Sequence, residues 1–449
     1  MKNQSNPETP MAFSKRNILQ KILRTMAQTV IRKYKPLIVG ITGSVGKSST
    51  KDAVALVLSS EYRVWKSEGN YNNELGVPLT IIGARSGGRS LLRWMGVFFR
   101  WLFLLVWPVK YPEVLVLELG IDRPGDMEYL LSFVPVTVGI ATNISSSHIA
   151  YFGSIGNIAR EKGKLISSLS ESGFAILNAD DPRTLKMRER TEAKVITYGF
   201  DEKADVRADN LLFHRDAKRV EGFSFKLNFE GKTIPLRLPK LVARHHIPAA
   251  LAAAGVGLAL KLNLVEIAEA LEDFEPLPGR LRLLPGNNDT ILLDDTYNAS
   301  PASTRAAFSV MQEMIAPRKV VVLGDMLELG PESNREHAAL ANALQESGAH
   351  VVVLVGQHMR SLHEALLEDG FSRKQLLWMP DPLSALQSLL QITREGDLIL
   401  IKGSRGMRME IVVEQLLTDP ALAKELLCCQ SHEWRSKPFS PPSEWTEEY

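Results

Sequence analysis

Leu37-Ile38-Val39-Gly40-Ile41 is a short apolar run that enters Thr42-Gly43-Ser44-Val45-Gly46-Lys47-Ser48-Ser49 and continues as a helical pattern to Ser60. A buried strand feeding a glycine turn and then a helix is the repeating step of a parallel sheet covered by helices. It confines the chain to an α/β fold. The turn carries its own chemistry. Gly43 and Gly46 let the backbone curl so that successive N–H groups face an anion, and the helix N-terminus adds its dipole. Lys47 can reach terminal phosphates and the Ser48 hydroxyl can ligate magnesium. The general phosphate-loop pattern places a glycine where Ile41 stands; here the glycine lies one step earlier, at Gly40.

Further apolar runs follow at 113–119, 136–141, 174–177 and 194–197, with helical stretches between several of them. Residues 223–238 alternate with period two around Glu230-Gly231 and predict an antiparallel hairpin. A long Ala/Leu helix is expected over about 247–261. After a Pro/Gly-rich link at 275–279, strands are expected at 290–293, 319–323, 350–355, 375–379 and 397–401, a second α/β unit of the open, doubly wound type. At 449 residues the chain has room for about three units of ~150 residues. The pattern divides it into a basic arm (1–35, with an unstructured start to Pro10), a P-loop domain with a mostly parallel sheet (36–274), a doubly wound Rossmann-like domain (275–428) and a disordered tail (429–449). With 53 basic and 51 acidic residues, the charge gives no argument for a nucleic-acid partner. The two cysteines, Cys428 and Cys429, are adjacent, so neither a disulfide framework nor a zinc-spaced cluster is expected, and a reducing cytoplasm fits.

Two segments stand outside this pattern. Ser14–Lys35 is basic and amphipathic, with Ile18, Ile22, Leu23, Met26 and Val30 at helical spacing. It reads as a solvated helix packed on the domain behind it, or as a surface for an acidic or anionic-membrane partner. An aromatic and basic insert (88–110) contains LLRWMGVFFRWLFLLVW at 91–107. Arg93 and Arg100 fall on one helical face, and the tryptophans suit a membrane interface. A helix buried against the body or a partner chain, an interfacial anchor and a true span all remain open. The anchor reading places the protein peripherally at the inner face of the membrane.

Candidate carboxylate and basic ligands follow the strands. Glu118 ends EVLVLELG, where a metal-directed carboxylate belongs. His148 follows the strand that ends in Ala141-Thr142-Asn143; a lone histidine is more often structural than a ligand. Glu161, Lys162 and Lys164 share the next helix.

These residues converge on one family. The chain resembles the Mur ligases, ATP-dependent amide-bond ligases of peptidoglycan synthesis, whose loop also carries an aliphatic residue where Ile41 stands. NYNNELGVPLT, LELGIDRPGDM, TNISSSHIAYFGS, KGKLI, NADD, LDDTYNASPAS, VVLGDMLELG and KGSRGMRME are similar, in order, to blocks of the branch that adds D-alanyl-D-alanine to a UDP-N-acetylmuramoyl tripeptide. The resemblance covers about 36–416. It implies ATP and two magnesium ions as cofactors. Thr42, Gly43, Ser44, Val45, Gly46, Lys47, Ser48 and Ser49 would hold ATP, together with Arg280, Asp295, Tyr297 and His246. Ser48, Glu118 and His148 would ligate magnesium. So would Lys162 once carbamylated, since a carbamylated lysine is a carboxylate on a long stem. Lys47, Lys162, His148 and Asn143 would be catalytic. Asn72, Asn73, Asn298, Ser300, Lys402, Ser404 and Arg405 would meet the substrates, a UDP-MurNAc peptide or related carboxylate and D-Ala-D-Ala or another amine.

Three departures qualify the resemblance. Only about 40 residues precede the loop, too few for the family's UDP-binding domain. Another chain, the basic arm or the 91–107 insert would then recognise that part of the substrate. The family's HNxxNALAA block reads His245-His246-Ile247-Pro248-Ala249-Ala250-Leu251, so contacts to the base differ. The aromatic-basic insert has no counterpart in the usual enzyme. The alternatives are a ligase acting on a different, lipid-linked carboxylate and a P-loop ATPase serving as a regulatory subunit.

Overall fold

The computed structural model describes residues 10–69, 71–88, 90–145, 149–215 and 220–436. The start up to residue 9, His148 and the tail beyond residue 436 lie outside them. The chain divides into two compact units: residues 1–211, 225–237 and 245–274, and residues 212–224, 238–244 and 275–449.

The first unit is built on strands β1 (Leu37–Thr42), β2 (Val64–Lys66), β3 (Val114–Glu118), β4 (Val138–Ala141), β5 (Phe174–Asn178) and β6 (Lys194–Gly199), and β7 (Val206–Arg215), β8 (Val220–Phe229) and β9 (Lys232–Leu238), parts of which are assigned to the second unit, continue the sheet. The nine-stranded order is β2-β3-β1-β4-β5-β6-β7-β8-β9. From β2 to β7 every neighbouring pair is parallel. The expected hairpin is β8 and β9. Its turn residues Glu230 and Gly231 both have positive φ, 48° and 76°, as a twisted two-residue hairpin turn needs. The sequence pattern missed β2 and β7.

Helix α1 (Pro10–Tyr34) is not a free arm. Leu23, Met26, Ala27, Val30 and Ile31 are buried in the same core as Val77, Leu79, Ile81 and Ile82 of α3 (Gly76–Ile82) and Leu115 and Leu117 of β3. Ile18 and Ile22, which share the periodicity, remain exposed. The 91–107 segment forms helix α4 (Leu91–Val106), which buries only Val97 and Leu104. Those two lie seven residues apart, a spacing that returns to the same helix face after two turns. Trp101 Nε1 donates to Thr29 Oγ1 at 2.8 Å, and Tyr34 Oη donates to the Leu104 carbonyl at 2.7 Å, which fixes α4 against α1. No helix among the described residues is long and apolar enough to cross a membrane, so the spanning alternative for α4 falls away.

The second unit holds β10 (Arg282–Pro285), β11 (Ile291–Asp295), β12 (Arg318–Gly324), β13 (Val351–Val355), β14 (Leu376–Met379) and β15 (Asp397–Lys402), in the order β10-β11-β15-β12-β13-β14. Five strands are parallel and only the edge strand β10 is antiparallel. The central strands are apolar without alternation because both faces are covered. Part of the tail corrects the expectation of disorder. Residues His432–Ser436 form a short helix in which Trp434 Nε1 donates to Glu410 Oε1 at 2.9 Å and Arg435 pairs with Glu414 at 2.9 Å.

Candidate active site

Strand β1 lies between β3 and β4, all three parallel, so their C-terminal ends open at one place. Ile41 pairs with Glu118 and Thr42 with Ala141. That register sets the loop after β1 between the carboxylate ending β3 and the Thr142-Asn143 turn following β4. Asn143 fastens the loop on one side. Its side-chain Oδ1 accepts from Val45 N at 2.8 Å and its carbonyl accepts from Ser44 N at 2.8 Å. Thr142 Oγ1 donates to the Val45 carbonyl at 2.7 Å.

Gly43 has φ 146° and Gly46 has φ 85°, and Gly46 caps helix α2 (Lys47–Leu58) in the left-handed region. Lys47 Nζ donates to the Gly43 carbonyl at 2.9 Å. Lys162 Nζ, carried by the helix Ile155–Ser167, donates to the same oxygen at 3.0 Å. Two lysines thus converge on one carbonyl at the loop. Lys162 is only 2% exposed. Burial, then the Lys47 ammonium beside it, pull its amine down to about 7, against a weaker opposite pull from Asp122 and Glu118.

On the other side of the loop a polar chain runs through Glu118. Ser48 Oγ donates to Glu118 Oε2 at 2.7 Å and Asn72 Nδ2 donates to Oε1 at 3.0 Å. Asn72 is therefore a partner of the carboxylate. Asn73 lies just before α3, its Oδ1 accepting from Leu75 N and Gly76 N at 3.2 and 3.0 Å. Lys47, Asn72, Asn73 and Lys162 line a pocket together with Glu74, Asp122, Asp126 and Tyr129, four residues that sequence reasoning did not single out. LELGIDRPGDM held Asp122 and Asp126 within a recognised block, but only the fold brings them to the pocket that the lysines line. The donor set beside the loop consists of hard oxygens, a hydroxyl and a carboxylate 2.7 Å apart. That chemistry fits magnesium, which takes few protein ligands and keeps water for the rest. Among the described residues no three His, Cys, Asp or Glu side chains converge on one metal position, and His148 lies outside those residues.

Other named residues of the first unit are held within the fold. Thr42 Oγ1 donates to the Leu119 carbonyl at 3.1 Å, tying β1 to the end of β3. Ser44 Oγ faces Ser145 instead, accepting from its N–H at 2.9 Å. Ser49 is buried in α2. His246 is buried at the start of the helix Ile247–Ala259, its ring edge-on to His245 at 4.4 Å.

The remaining named residues form a second cluster, on the second unit. Asp295 and Lys402 are register partners at the C-terminal ends of β11 and β15. Lys402 Nζ donates to Asp295 Oδ2 at 2.6 Å and to the Asn298 carbonyl at 2.9 Å. Lys402 is thus a buried strut of the LDDTYN turn and does not face outward. Burial pushes the Asp295 carboxyl up, while Lys402 and Arg280 pull it back. The Arg280 guanidinium lies 4.3 Å from the Tyr297 ring centroid, and Arg405 lies 6.0 Å from it and 4.7 Å from that of Trp434. Ser300 caps the helix Pro301–Glu313 in a reciprocal box with Ser303. Ser404 Oγ accepts from Leu327 N at 2.8 Å. Both hydroxyls are therefore engaged in holding their own turns.

Known proteins match this arrangement. Residues 41–93 and 101–257 match the Mur ligase middle domain, and residues 279–405 match the Mur ligase, glutamate ligase domain. The UDP-N-acetylmuramoyl-tripeptide--D-alanyl-D-alanine ligase of Escherichia coli is 31% identical over 395 residues, 87% of this chain and 79% of that protein. The chain belongs to the Mur ligase family. This is a family of ATP-dependent amide ligases that form ADP. Among solved structures, MurF from Acinetobacter baumannii is 27% identical with a TM-score of 0.73, covering 89% of this Mur ligase and 80% of that chain. MurF from Thermotoga maritima, determined in complex with ADP, shares the fold at 24% identity and a TM-score of 0.68, covering 91% and 84% of the two chains.

Proposed function

We propose that this Mur ligase activates a peptide carboxylate with ATP and joins it to an amine, with a UDP-N-acetylmuramoyl tripeptide and D-alanyl-D-alanine as the pair. The observation that carries the reading is the meeting of Lys47 and Lys162 at the Gly43 carbonyl, beside the Ser48–Glu118–Asn72 chain. The named substrates are those of the MurF relatives.

A carboxylate oxygen attacks the γ-phosphorus, the bond to ADP breaks, and an acyl phosphate forms. The amine nitrogen then attacks the acyl carbon, phosphate leaves, and the nitrogen loses a proton. The first step asks the protein mainly for positioning and charge neutralisation. The loop N–H groups and Lys47 meet the phosphates there. Ser48 and Glu118 would hold magnesium, and Lys162 would hold a second ion as its carbamate. Bound magnesium supplies charge that offsets the negative charge spreading over the transferring group. An amine titrating near 7 suits carbamylation, because only the neutral form attacks carbon dioxide. Arg280, Asp295 and Tyr297 serve the nucleotide on the second unit, and Arg405 faces the amino substrate.

The test is phosphate release from ATP with UDP-N-acetylmuramoyl tripeptide, with and without D-alanyl-D-alanine, followed by product mass. Release that requires both, with the pentapeptide mass appearing, is the expected result. Release without the amine would point to a regulatory ATPase. No release from a folded, ATP-binding protein would move the reading to another carboxylate.

A further inference from the structure

On a water-facing helix of a globular protein the exposed side is polar. Helix α4 reverses this. Its inward stripe of Val97 and Leu104, flanked by Trp94 and Trp101, packs on the core. Its outward face carries Leu91 and Leu92, 81% and 75% exposed, Phe99 and Val106, each 60% exposed, and Trp107 at its end, 58% exposed. Large apolar residues grouped this way mark an interaction surface. The match to the Mur ligase middle domain is interrupted at residues 94–100, so this part of α4 lies outside what the shared domain accounts for.

Charge decides the occupant. From Leu75 to Pro112 the chain has no Asp or Glu and five basic residues, Arg85, Arg89, Arg93, Arg100 and Lys110, of which Arg85 pairs with Glu68 at 3.3 Å. From Thr9 to Lys51, which includes α1, it again has no acidic residue. The two helices are fastened together, since Lys33 Nζ donates to the carbonyls of Leu104 and Leu105 at 2.8 and 3.0 Å. An apolar, aromatic face on a helix whose only charges, Arg93 and Arg100, are basic complements an anionic bilayer, whose surface attracts Lys and Arg while its acyl boundary takes up the rings. At 16 residues α4 is about 24 Å long, shorter than the ~30 Å hydrocarbon core, so it would lie in the interface plane.

We infer that the outward face of α4 docks this protein on an anionic lipid surface. The inference stands apart from the ligase reading, because vesicle binding is measured without substrate. The full chain is floated with vesicles containing about one-third phosphatidylglycerol and with vesicles of phosphatidylcholine alone, at low and high salt. The expected result is partition onto the anionic vesicles that weakens with salt and falls at least about tenfold in Phe99→Asp or Leu92→Asp. Both sites are exposed, so the variants should keep the wild-type melting temperature; Phe99→Ala serves as a milder variant if either does not. Absence of partition, equal partition onto neutral vesicles, or wild-type partition by folded variants would overturn the inference. So would sedimentation showing a dimer that Phe99→Asp dissociates while no vesicle binding is seen, which would make the face an interface between copies.

Discussion

Gly43 illustrates how little freedom the loop leaves. A Cβ at that position would stand 1.9 Å from Thr142 Oγ1, with φ at 146°. Gly43→Ala is therefore expected to lower stability by about 1–3 kcal/mol and to abolish nucleotide binding, read by denaturant unfolding and by titration with an ATP analogue. Lys162 makes a prediction with a definite pH window. Its amine titrates at about 7 instead of 10.5 because it is buried beside Lys47. Below pH 7 the neutral fraction falls about tenfold per unit, so carbamate formation should rise between pH 6 and 8 and then level off. With 13C-labelled bicarbonate, a carbamate resonance following that curve and missing in Lys162→Arg is the expected observation. A lysine with its ordinary pKa would give a rise that continues toward pH 10. The same variant should lower kcat by about a hundredfold or more if the carbamate stabilises the transferring group.

Helix α4 separates two kinds of apolar residue by direction alone. Leu104 is fully buried against α1, so Leu104→Ala should cost about 2–5 kcal/mol through the cavity it leaves. Phe99→Ser, on the outward face, should change stability by no more than about 0.5 kcal/mol. Thermal or denaturant melts of the two proteins check the contrast. At the end of β11, Asp294 is fully buried and accepts from Gly279 N at 3.0 Å and Thr296 Oγ1 at 2.6 Å. Burial pushes its carboxyl up to about 6 from 3.8. A folded-state pKa above the unfolded one contributes stability that is complete below about 4 and is lost as pH rises through about 6. Asp294→Asn should flatten that part of the pH–stability curve, measured by urea unfolding between pH 4 and 7.

For the whole molecule, ligand linkage provides the check. An ATP analogue at 100 times its Kd should add about 2.7 kcal/mol of stability to the folded protein. Lys47 lies in the first unit, so the unfolding transition assigned to that unit should move up, and Lys47→Ala should remove the shift. Two resolved calorimetric transitions, of which the first unit's loses its nucleotide response in Lys47→Ala, would agree with two compact units.

Much of this was readable from residue order. The apolar run at 37–41 followed by Gly43, Gly46, Lys47 and Ser48 specifies a strand, an anion-binding turn and a helix because each is set by local sterics and hydrogen bonding. The strands of both sheets were legible for the same reason: buried parallel strands are uniformly apolar. β2, β7 and β10 were missed because three- and four-residue strands and a polar one carry no such run. The direction of side chains was not legible. Lys162, a helix lysine by sequence, acquires its lowered pKa only because the fold buries it beside Lys47. Lys402 belongs to a recognised turn, yet parallel register with Asp295 makes it an internal strut. Asn72 becomes a partner of Glu118, and Asp122 and Asp126 join the pocket. In α4 the composition was compatible with burial, anchoring or spanning. Helix type and phosphate chemistry follow from near neighbours in the chain, whereas burial, charge pairing and which face meets solvent depend on residues tens of positions away that only packing brings together.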